Sequence, residues 1–157
     1  MEKLNRLKKQ YESLKKKYKL PEFSKLNEDF EIEKLQEHET DFLLREIRRT
    51  MVEKISVVLK FLEIMINPNE ASPPFVFAMI KEMKPEMKKS VENMYKELSL
   101  VEISSITLDL DYGEKSEAKF IKEHTKKWEV TKKDLRSLIK SMDTIWKLES
   151  NKKSYVG

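Results

Sequence analysis

Glycine is almost absent from this chain of 157 residues, occurring only at Gly113 and at the last position, Gly157. Sheet proteins and nucleotide-binding folds need glycine in hairpin turns, bulges and phosphate-binding loops. A chain with one internal glycine has little means of making such turns, whereas helices joined by breaks at proline or asparagine need none. The scarcity of glycine therefore predicts an all-helical fold.

Apolar and charged residues are both frequent, and long helices accommodate the two together. Hydrophobic residues make up 39% of the chain, enough for a core, while charged residues make up 38%, well above the usual quarter. A helix buries one apolar stripe and exposes its other faces to water, which suits this balance. The length fits one domain, and we expect a single bundle over 1–150 with a flexible tail at 151–157.

Apolar spacing predicts four long helices and one short helix, which we expect to form an antiparallel bundle. The first long helix, at about 1–19, ends at Leu20-Pro21, because the residue before a proline avoids helical geometry. The short helix follows at 21–30. The other three long helices are predicted at about 40–66, from Pro85 and at about 114–149, and a further apolar helical segment begins at Ser72. The apolar surface is widest over 55–66, which we expect to be the buried centre.

The segment 106–112 has an ambiguous pattern. Apolar residues alternate with Thr107, Asp109 and Asp111, as in a strand. A solitary strand has no partner in a helical chain and is not stable alone. We therefore interpret this segment as the end of a helix, with the break at Gly113.

The first helix carries a narrow apolar seam with the heptad spacing of a coiled coil. Its members are spaced alternately three and four residues apart: Leu4, Leu7, Tyr11, Leu14 and Tyr18. The seam predicts either a coiled-coil-like contact with a partner, carried by Leu7, Tyr11 and Leu14, or docking onto the rest of the chain.

No catalytic, cofactor-binding or metal-binding motif is found in the sequence. His38 and His124 match neither the His-Glu-x-x-His motif nor the Glu-x-x-His pair, and we interpret both as surface residues. Asp109–Gly113 is similar to the start of a calcium loop, but glycine comes fifth instead of sixth, and Phe120 replaces the twelfth-position glutamate. The absence of cysteine excludes disulfides and cysteine nucleophiles and favours a reducing cytoplasm. We expect no enzymatic activity and no cofactor.

Three arginines form a basic spot on the third predicted helical segment. Arg45, Arg48 and Arg49 together are suited to grip phosphate or an acidic partner. Asp41 and Glu53 lie four residues from Arg45 and Arg49, so ion pairs within the helix are the structural interpretation for those two.

Trp128 and Trp146 are eighteen residues apart, which is five helical turns, and so face the same way. Core packing is the simpler interpretation of both. Exposed, they would suit a partner surface, because tryptophan is enriched among interface hot spots.

Charge is distributed unevenly along the first third of the chain. Met1–Lys19 has eight basic residues against two acidic ones, a balance of +6, while Glu22–Glu46 has nine acidic against three basic, a balance of −6. A basic helix is typical of nucleic-acid binding. The lysines suited to that role are Lys8, Lys9, Lys15, Lys16, Lys17, Lys126 and Lys127. Alternatively, the basic and acidic segments neutralise each other by folding back or by pairing between subunits.

Three stretches resemble small, all-helical proteins of archaeal type that have no assigned function. They are Leu20–Glu31, Asp41–Arg49 (DFLLREIRR) and Asp109–Glu123 (DLDYGEKSEAKFIKE). The resemblance implies an archaeal source and assigns no residue a role. Abundant Lys and Glu without Cys is also reported for heat-adapted proteins, which predicts thermostability.

These observations favour a non-enzymatic adaptor or assembly protein that binds another macromolecule, or itself, by helix packing. The alternative is an RNA- or ribosome-associated protein that uses the basic first helix, and a remote alternative is an enzyme with an unfamiliar helical site. The N-terminal residues lack the apolar core of a signal peptide, and the most apolar stretch, 55–66, is too short to span a bilayer. We therefore expect a cytoplasmic protein with no membrane partner.

Overall fold

The computed structural model describes residues 1–156, which contain helices and no strands. The helices are α1 (Glu2–Tyr18), α2 (Phe23–Phe30), a 3₁₀ helix (Ile32–Glu37), α3 (Leu43–Ile66), α4 (Pro74–Glu82), α5 (Pro85–Leu110) and α6 (Glu114–Val156). The all-helical class is confirmed, while the antiparallel arrangement of the four long helices stays a prediction. None of these described helices is both long and apolar enough to cross a bilayer.

The backbone divides into two compact units, and the single bundle over 1–150 stays a prediction. The first unit comprises Met1–Ser56 and Leu100–Trp128, and the second comprises Val57–Ser99 and the chain from Glu129 onward. Each unit has its own buried apolar residues. They include Leu26, Phe30 and Met51 in the first unit and Leu62, Met79 and Val91 in the second.

The apolar seam of α1 is covered by the chain itself. Tyr11 is fully buried and Leu7 nearly so, while Leu14 is half-buried. The Tyr11 hydroxyl donates to the backbone oxygen of Pro21 at 2.5 Å, and its ring meets the Phe23 ring edge-on at 5.6 Å. Leu7 and Tyr11 are therefore not available to a partner in this conformation, which corrects the interpretation of the seam as a partner contact.

Two helices end on left-handed residues that are not glycine. Lys19 after α1 has φ 57°, and Glu31 after α2 has φ 54°. The backbone N–H of each donates to an oxygen of the last helical turn, Lys19 to Lys15 and Glu31 to Asn27. Glycine is the usual residue at such helix ends, because a side chain makes this conformation costly.

Replacing Lys19 with glycine is expected to raise the free energy of unfolding by about 0.5–1 kcal/mol. The steric cost of the left-handed conformation is removed, and the greater freedom of glycine in the unfolded chain offsets part of the gain. Urea unfolding followed by circular dichroism measures the change. The matched control is Lys9→Gly, in the exposed middle of α1, which should lower the same quantity by about 1 kcal/mol. A loss of equal size in both variants would contradict the expectation.

The segment with the strand-like pattern is helical, as interpreted from the sequence. Helix α5 continues to Leu110, and α6 begins at Glu114. Gly113 lies in the break, where its backbone oxygen accepts from the N–H of Glu117 at 2.9 Å.

The widely apolar half of α3 is buried on one side only. Ile55, Leu59, Leu62 and Met65 are buried at helical spacing, but Val57 is 69% exposed and Ile66 is 42% exposed. The expectation that 55–66 forms a centre covered on most sides is therefore wrong. One face of the helix packs, and the other, which carries the charged Lys60 and Glu63 beside Val57, faces water.

Helix α6 continues beyond its predicted end near Glu149 to Val156. The physical reason is that no glycine or proline interrupts 114–156. Residues 151–156 of the predicted tail are therefore helical, and Gly157 lies outside the described residues.

Candidate functional site

Arg48 on α3 has no exposed surface, and its guanidinium joins three helices of the first unit. Its Nε and Nη2 donate to the two carboxylate oxygens of Glu117 on α6, at 2.6 and 3.1 Å. Nη1 donates to the backbone oxygen and the hydroxyl of Ser105 on α5, and Nη2 also donates to Asp109 at 2.7 Å. Because Glu117 is fully buried too, the two charges compensate each other away from water.

The pKa values of Arg48 and Asp109 shift toward their charged forms. Hydrogen bonding from Arg48 lowers the pKa of the Asp109 carboxyl, although desolvation opposes the shift. Burial disfavours the charge on Arg48, but hydrogen bonds to Glu117 and Asp109 outweigh it and raise the Arg48 pKa. Arg48 and Asp109 are thus held ionised near neutral pH, and their ion pair links α3 to α5.

The basic spot predicted on α3 is not an open cluster. Arg48 cannot contact a partner, because it is buried, and this corrects its assignment as a partner-binding residue. The Arg49 guanidinium lies 3.4 Å from the carboxylates of Glu46 and Asp109. Arg45 lies 3.6 Å from Glu46. Each of the three arginines therefore has an acidic partner within the first unit.

The ion pairs that the sequence suggested for these arginines are not the ones formed. Arg45 pairs with Glu46 rather than with Asp41, and Glu53 lies 3.6 Å from Lys34 rather than beside Arg49. Spacing by four residues indicates which side chains share a helix face, but acids on other elements compete for the same cation.

Arg45, near the start of α3, also lies against two aromatic rings. Its guanidinium carbon is 4.6 Å from the centre of the Phe42 ring and 5.7 Å from that of Tyr112. The two rings meet edge to face at 5.1 Å. Both aromatic residues remain partly exposed, so the stack forms part of the surface near the end of α5.

The basic first helix is partly neutralised by the acidic segment that follows it. Ion pairs join the two segments, with distances of 3.0 Å for Lys3–Glu37 and 2.6 Å for Lys15–Glu22, and Arg6 contacts Glu39. The acidic segment therefore folds back onto the basic first helix within one chain, which is one of the two arrangements that the sequence left open.

The lysines proposed for nucleic acid differ in their surroundings. Lys8 lies 5.6 Å from the centre of the Phe23 ring, and Lys17 pairs with Glu114 at 3.2 Å. Six of the seven are exposed, and Lys15 is half-buried.

An apolar stripe on the second half of α5 faces water. Its four residues are 55–78% exposed and are spaced three, three and four residues apart on one helix face: Leu100, Ile103, Ile106 and Leu110. We call these four residues the α5 stripe. The opposite face of the same helix is buried, with Val101 at 3% and Ser105 at 5% exposure. Helix α5 therefore has one apolar face in the core of the first unit and a second that is uncovered.

Known families, curated proteins and solved structures give no match to this chain. The resemblance to small helical proteins of archaeal type stays a prediction. The roles of the residues are inferred from their contacts, burial and charge.

The two histidines have different environments. His38 is exposed, at the edge of a cavity of about 300 Å³ between α1 and the segment around the 3₁₀ helix. His124 is buried, with its ring centre 4.2 Å from that of Phe120, so its interpretation as a surface residue is wrong. The sequence contained a signal for this burial. Phe120 and Trp128 lie four residues to either side of His124 and mark a buried helix face.

The two tryptophans, although on one side of α6 by spacing, differ in burial. Trp128 is 4% exposed and packs against Phe30 with ring centres 5.8 Å apart, which fits the core interpretation. Trp146 is 37% exposed and touches Phe75. Only Trp146 presents its ring to water.

Proposed function

We propose that this chain is a non-enzymatic interaction protein of the cytoplasm that binds a helix of another protein through the α5 stripe. The exposure of the α5 stripe is the observation that carries the proposal. Contiguous apolar patches on soluble proteins mark interaction sites more often than scattered apolar residues do. The stripe is contiguous, lies on a regular helix and is opposite the packed face.

The spacing of the α5 stripe suits a helical partner. Leu100 and Leu110 are separated by about 15 Å along the axis, or three turns, at the rise of an α-helix. Side chains spaced three and four apart form a ridge that fits between the side chains of a second helix. An amphipathic helix with anchors at the same spacing is thus the occupant that this surface favours.

The charges near the α5 stripe favour a basic partner helix over a second copy of α5. Residues 100–111 include Glu102, Asp109 and Asp111 and no lysine or arginine. Glu102 accepts a hydrogen bond from Ser56 and Asp109 binds Arg48, while Asp111 is exposed at the end of the stripe. Lysine or arginine beside the apolar anchors of a partner complements this end, whereas a second α5 brings acid to acid.

RNA or ribosome association through the lysines of α1 is the competing function. Its support is weaker than that of the α5 stripe, because Lys15 and Lys17 have acidic partners within the chain. RNA binding would be recognised by a steep loss of affinity with salt. The test of the stripe therefore includes an arm for nucleic acid.

Ile103→Thr is expected to change the free energy of unfolding by less than about 0.5 kcal/mol, because an exposed side chain contributes little to stability. Val101→Thr is the matched control, and it should lower the same quantity by about 1–2 kcal/mol, since its hydroxyl is placed in the core. Urea unfolding followed by circular dichroism measures both. Equal losses would mean that the stripe is covered in solution.

Partner binding is tested with a photo-crosslinking residue at Leu100, in cells that naturally express the chain. We expect a crosslinked protein that resists nuclease and is lost when Ile103→Glu and Ile106→Glu are added. Lys119→Glu, on an exposed site of α6, is the control and should leave the crosslink intact. A nuclease-sensitive adduct would favour RNA, and an adduct only with a second copy of this chain would overturn the choice of partner.

A further inference from the structure

The second unit has an apolar surface that the α5 stripe does not explain. Side chains of α3, α4 and α6 line a shallow hollow of about 460 Å³, whose surface is almost entirely apolar and lies open to water. The apolar residues that line it are Phe61, Phe75, Ile139, Met142 and Trp146. We call these residues the open apolar patch.

Aromatic and aliphatic side chains of the open apolar patch are in contact with water. Ile139 is 57% exposed and Trp146 is 37% exposed, although Leu138 on the same helix is buried. The ring centre of Phe75 lies 6.5 Å from that of Trp146, so α4 and α6 contribute to one continuous surface. Tryptophan is enriched where apolar and polar surroundings meet, as at the boundary between lipid chains and headgroups.

The second half of α6 is basic, and part of its charge is not neutralised. From Glu129 to the end of the chain there are seven basic residues against four acidic ones, a balance of +3. Three of the acids pair with lysines of the same helix at 2.8–3.7 Å: Lys132–Glu129, Lys147–Asp143 and Lys152–Glu149. Three exposed cations have no ion pair within the described part of the chain: Lys133, Arg136 and Lys140. We call these three residues the basic row.

The basic row follows one side of α6, next to the open apolar patch. Its members are spaced three and four residues apart, so they are neighbours on the helix surface. Arg136 is also three residues before Ile139, which places the cation beside the apolar edge. The remaining acid, Asp134, is two residues from Arg136 and therefore on the opposite side of the helix.

We propose that this part of the second unit binds the surface of a bilayer that contains anionic lipids. The open apolar patch enters the boundary between headgroups and acyl chains, and the basic row attracts the lipid phosphates. Tryptophan and phenylalanine beside a row of lysine and arginine are typical of segments that lie in this boundary. Such a contact needs no helix that crosses the bilayer. The cytoplasmic leaflet carries anionic lipids, which fits the cytoplasmic location proposed above.

An acidic protein and RNA would also be attracted by the basic row, but the open apolar patch favours a bilayer. A stable protein partner needs a surface of complementary shape, whereas lipid chains adapt to a shallow, open surface. RNA bases stack on aromatic rings, but the aliphatic members Ile139 and Met142 offer no ring for stacking. A bilayer uses the aromatic residues, the aliphatic residues and the cations together.

The test is flotation of the full chain with vesicles of phosphatidylcholine, with and without phosphatidylglycerol. Binding should be at least about tenfold tighter with phosphatidylglycerol and should weaken as salt is added. Lipids with brominated chains should quench the fluorescence of Trp146. Trp146→Phe, which retains the buried Trp128, should show no such quenching. Equal binding to both kinds of vesicle, or binding to neither, would overturn the proposal.

A double variant tests the basic row. Arg136→Gln with Lys140→Gln removes two charges and should weaken binding to the anionic vesicles about ten- to thirtyfold. The matched control is Lys9→Gln with Lys16→Gln, which removes the same charge from exposed positions of α1 and should change the affinity less than about threefold. Equal losses in the two double variants would show that net charge alone attracts the membrane, and the proposal would be wrong.

A single substitution tests the open apolar patch. Ile139→Thr places a hydroxyl at an exposed apolar position and should weaken vesicle binding about three- to fivefold. Ile103→Thr makes the same change in the α5 stripe and should leave vesicle binding unchanged, so the two surfaces are tested independently. Circular dichroism checks that each variant remains folded. Equal effects of the two substitutions would overturn the assignment of the bilayer contact to the second unit.

An RNA arm uses the same variants. RNA retention that is lost in Arg136→Gln with Lys140→Gln, without binding to either kind of vesicle, would replace the bilayer with nucleic acid. A photo-crosslinking residue at Trp146 that reacts in cells with a protein and with no lipid would replace it with a protein partner.

Discussion

Replacing Arg48 with methionine is expected to lower the free energy of unfolding by about 3–5 kcal/mol, the cost typical of breaking a buried ion pair. The substitution leaves the Glu117 carboxylate without its bidentate partner in a site with no exposure to water. It also removes the donor to the Ser105 backbone oxygen. Urea unfolding followed by circular dichroism measures the loss.

Two further variants separate the charge of Arg48 from its geometry. Arg48→Lys keeps the charge, but a single ammonium cannot reproduce the planar fork that binds Glu117, Ser105 and Asp109 together, so it should lose nearly as much. Arg48→Met combined with Glu117→Leu removes both buried charges and should be clearly more stable than Arg48→Met alone. Glu117→Leu alone completes the comparison. If the double variant lost as much unfolding free energy as Arg48→Met and Glu117→Leu lose together when measured separately, the ion pair would not be the source of the effect.

The helical class was predictable because it depends on local properties of the chain. Glycine scarcity, the prolines at 21 and 85 and the break at Gly113 all act within one or two turns. The strand-like alternation at 106–112 was also interpreted correctly, because a strand needs a partner that the rest of the sequence does not offer.

The candidate sites were less predictable, because they depend on contacts between distant residues. Arg48 is 57 residues from Ser105 and 69 from Glu117, so no spacing rule along one helix could join them. The α5 stripe was missed for a related reason. Six of the eleven residues 100–110 are Leu, Ile or Val, more than one buried face needs, but the sequence does not show which of the two faces is covered.

Phe30→Ala is expected to have an effect of similar size, lowering the free energy of unfolding by about 3–5 kcal/mol. The Phe30 side chain is 2% exposed, and its ring centre lies 5.8 Å from that of the buried Trp128. Truncation removes apolar contacts and leaves a cavity that the neighbouring helices fill only in part. Urea unfolding measures the loss, and the near-ultraviolet circular dichroism of tryptophan reports the change beside Trp128.

Phe77→Ala provides the matched control for Phe30→Ala, because Phe77 is 47% exposed and the same chemical group is deleted. It should cost less than about 1 kcal/mol, since the lost side chain was already partly in water. Phe30→Leu should lie between the two, because it retains most of the apolar volume. If Phe77→Ala lowered the free energy of unfolding as much as Phe30→Ala, burial would not be what makes the two positions differ. We expect the loss of unfolding free energy to decrease in the order Phe30→Ala, Phe30→Leu, Phe77→Ala. This ranking tests directly whether α2 is anchored by Phe30, its last residue.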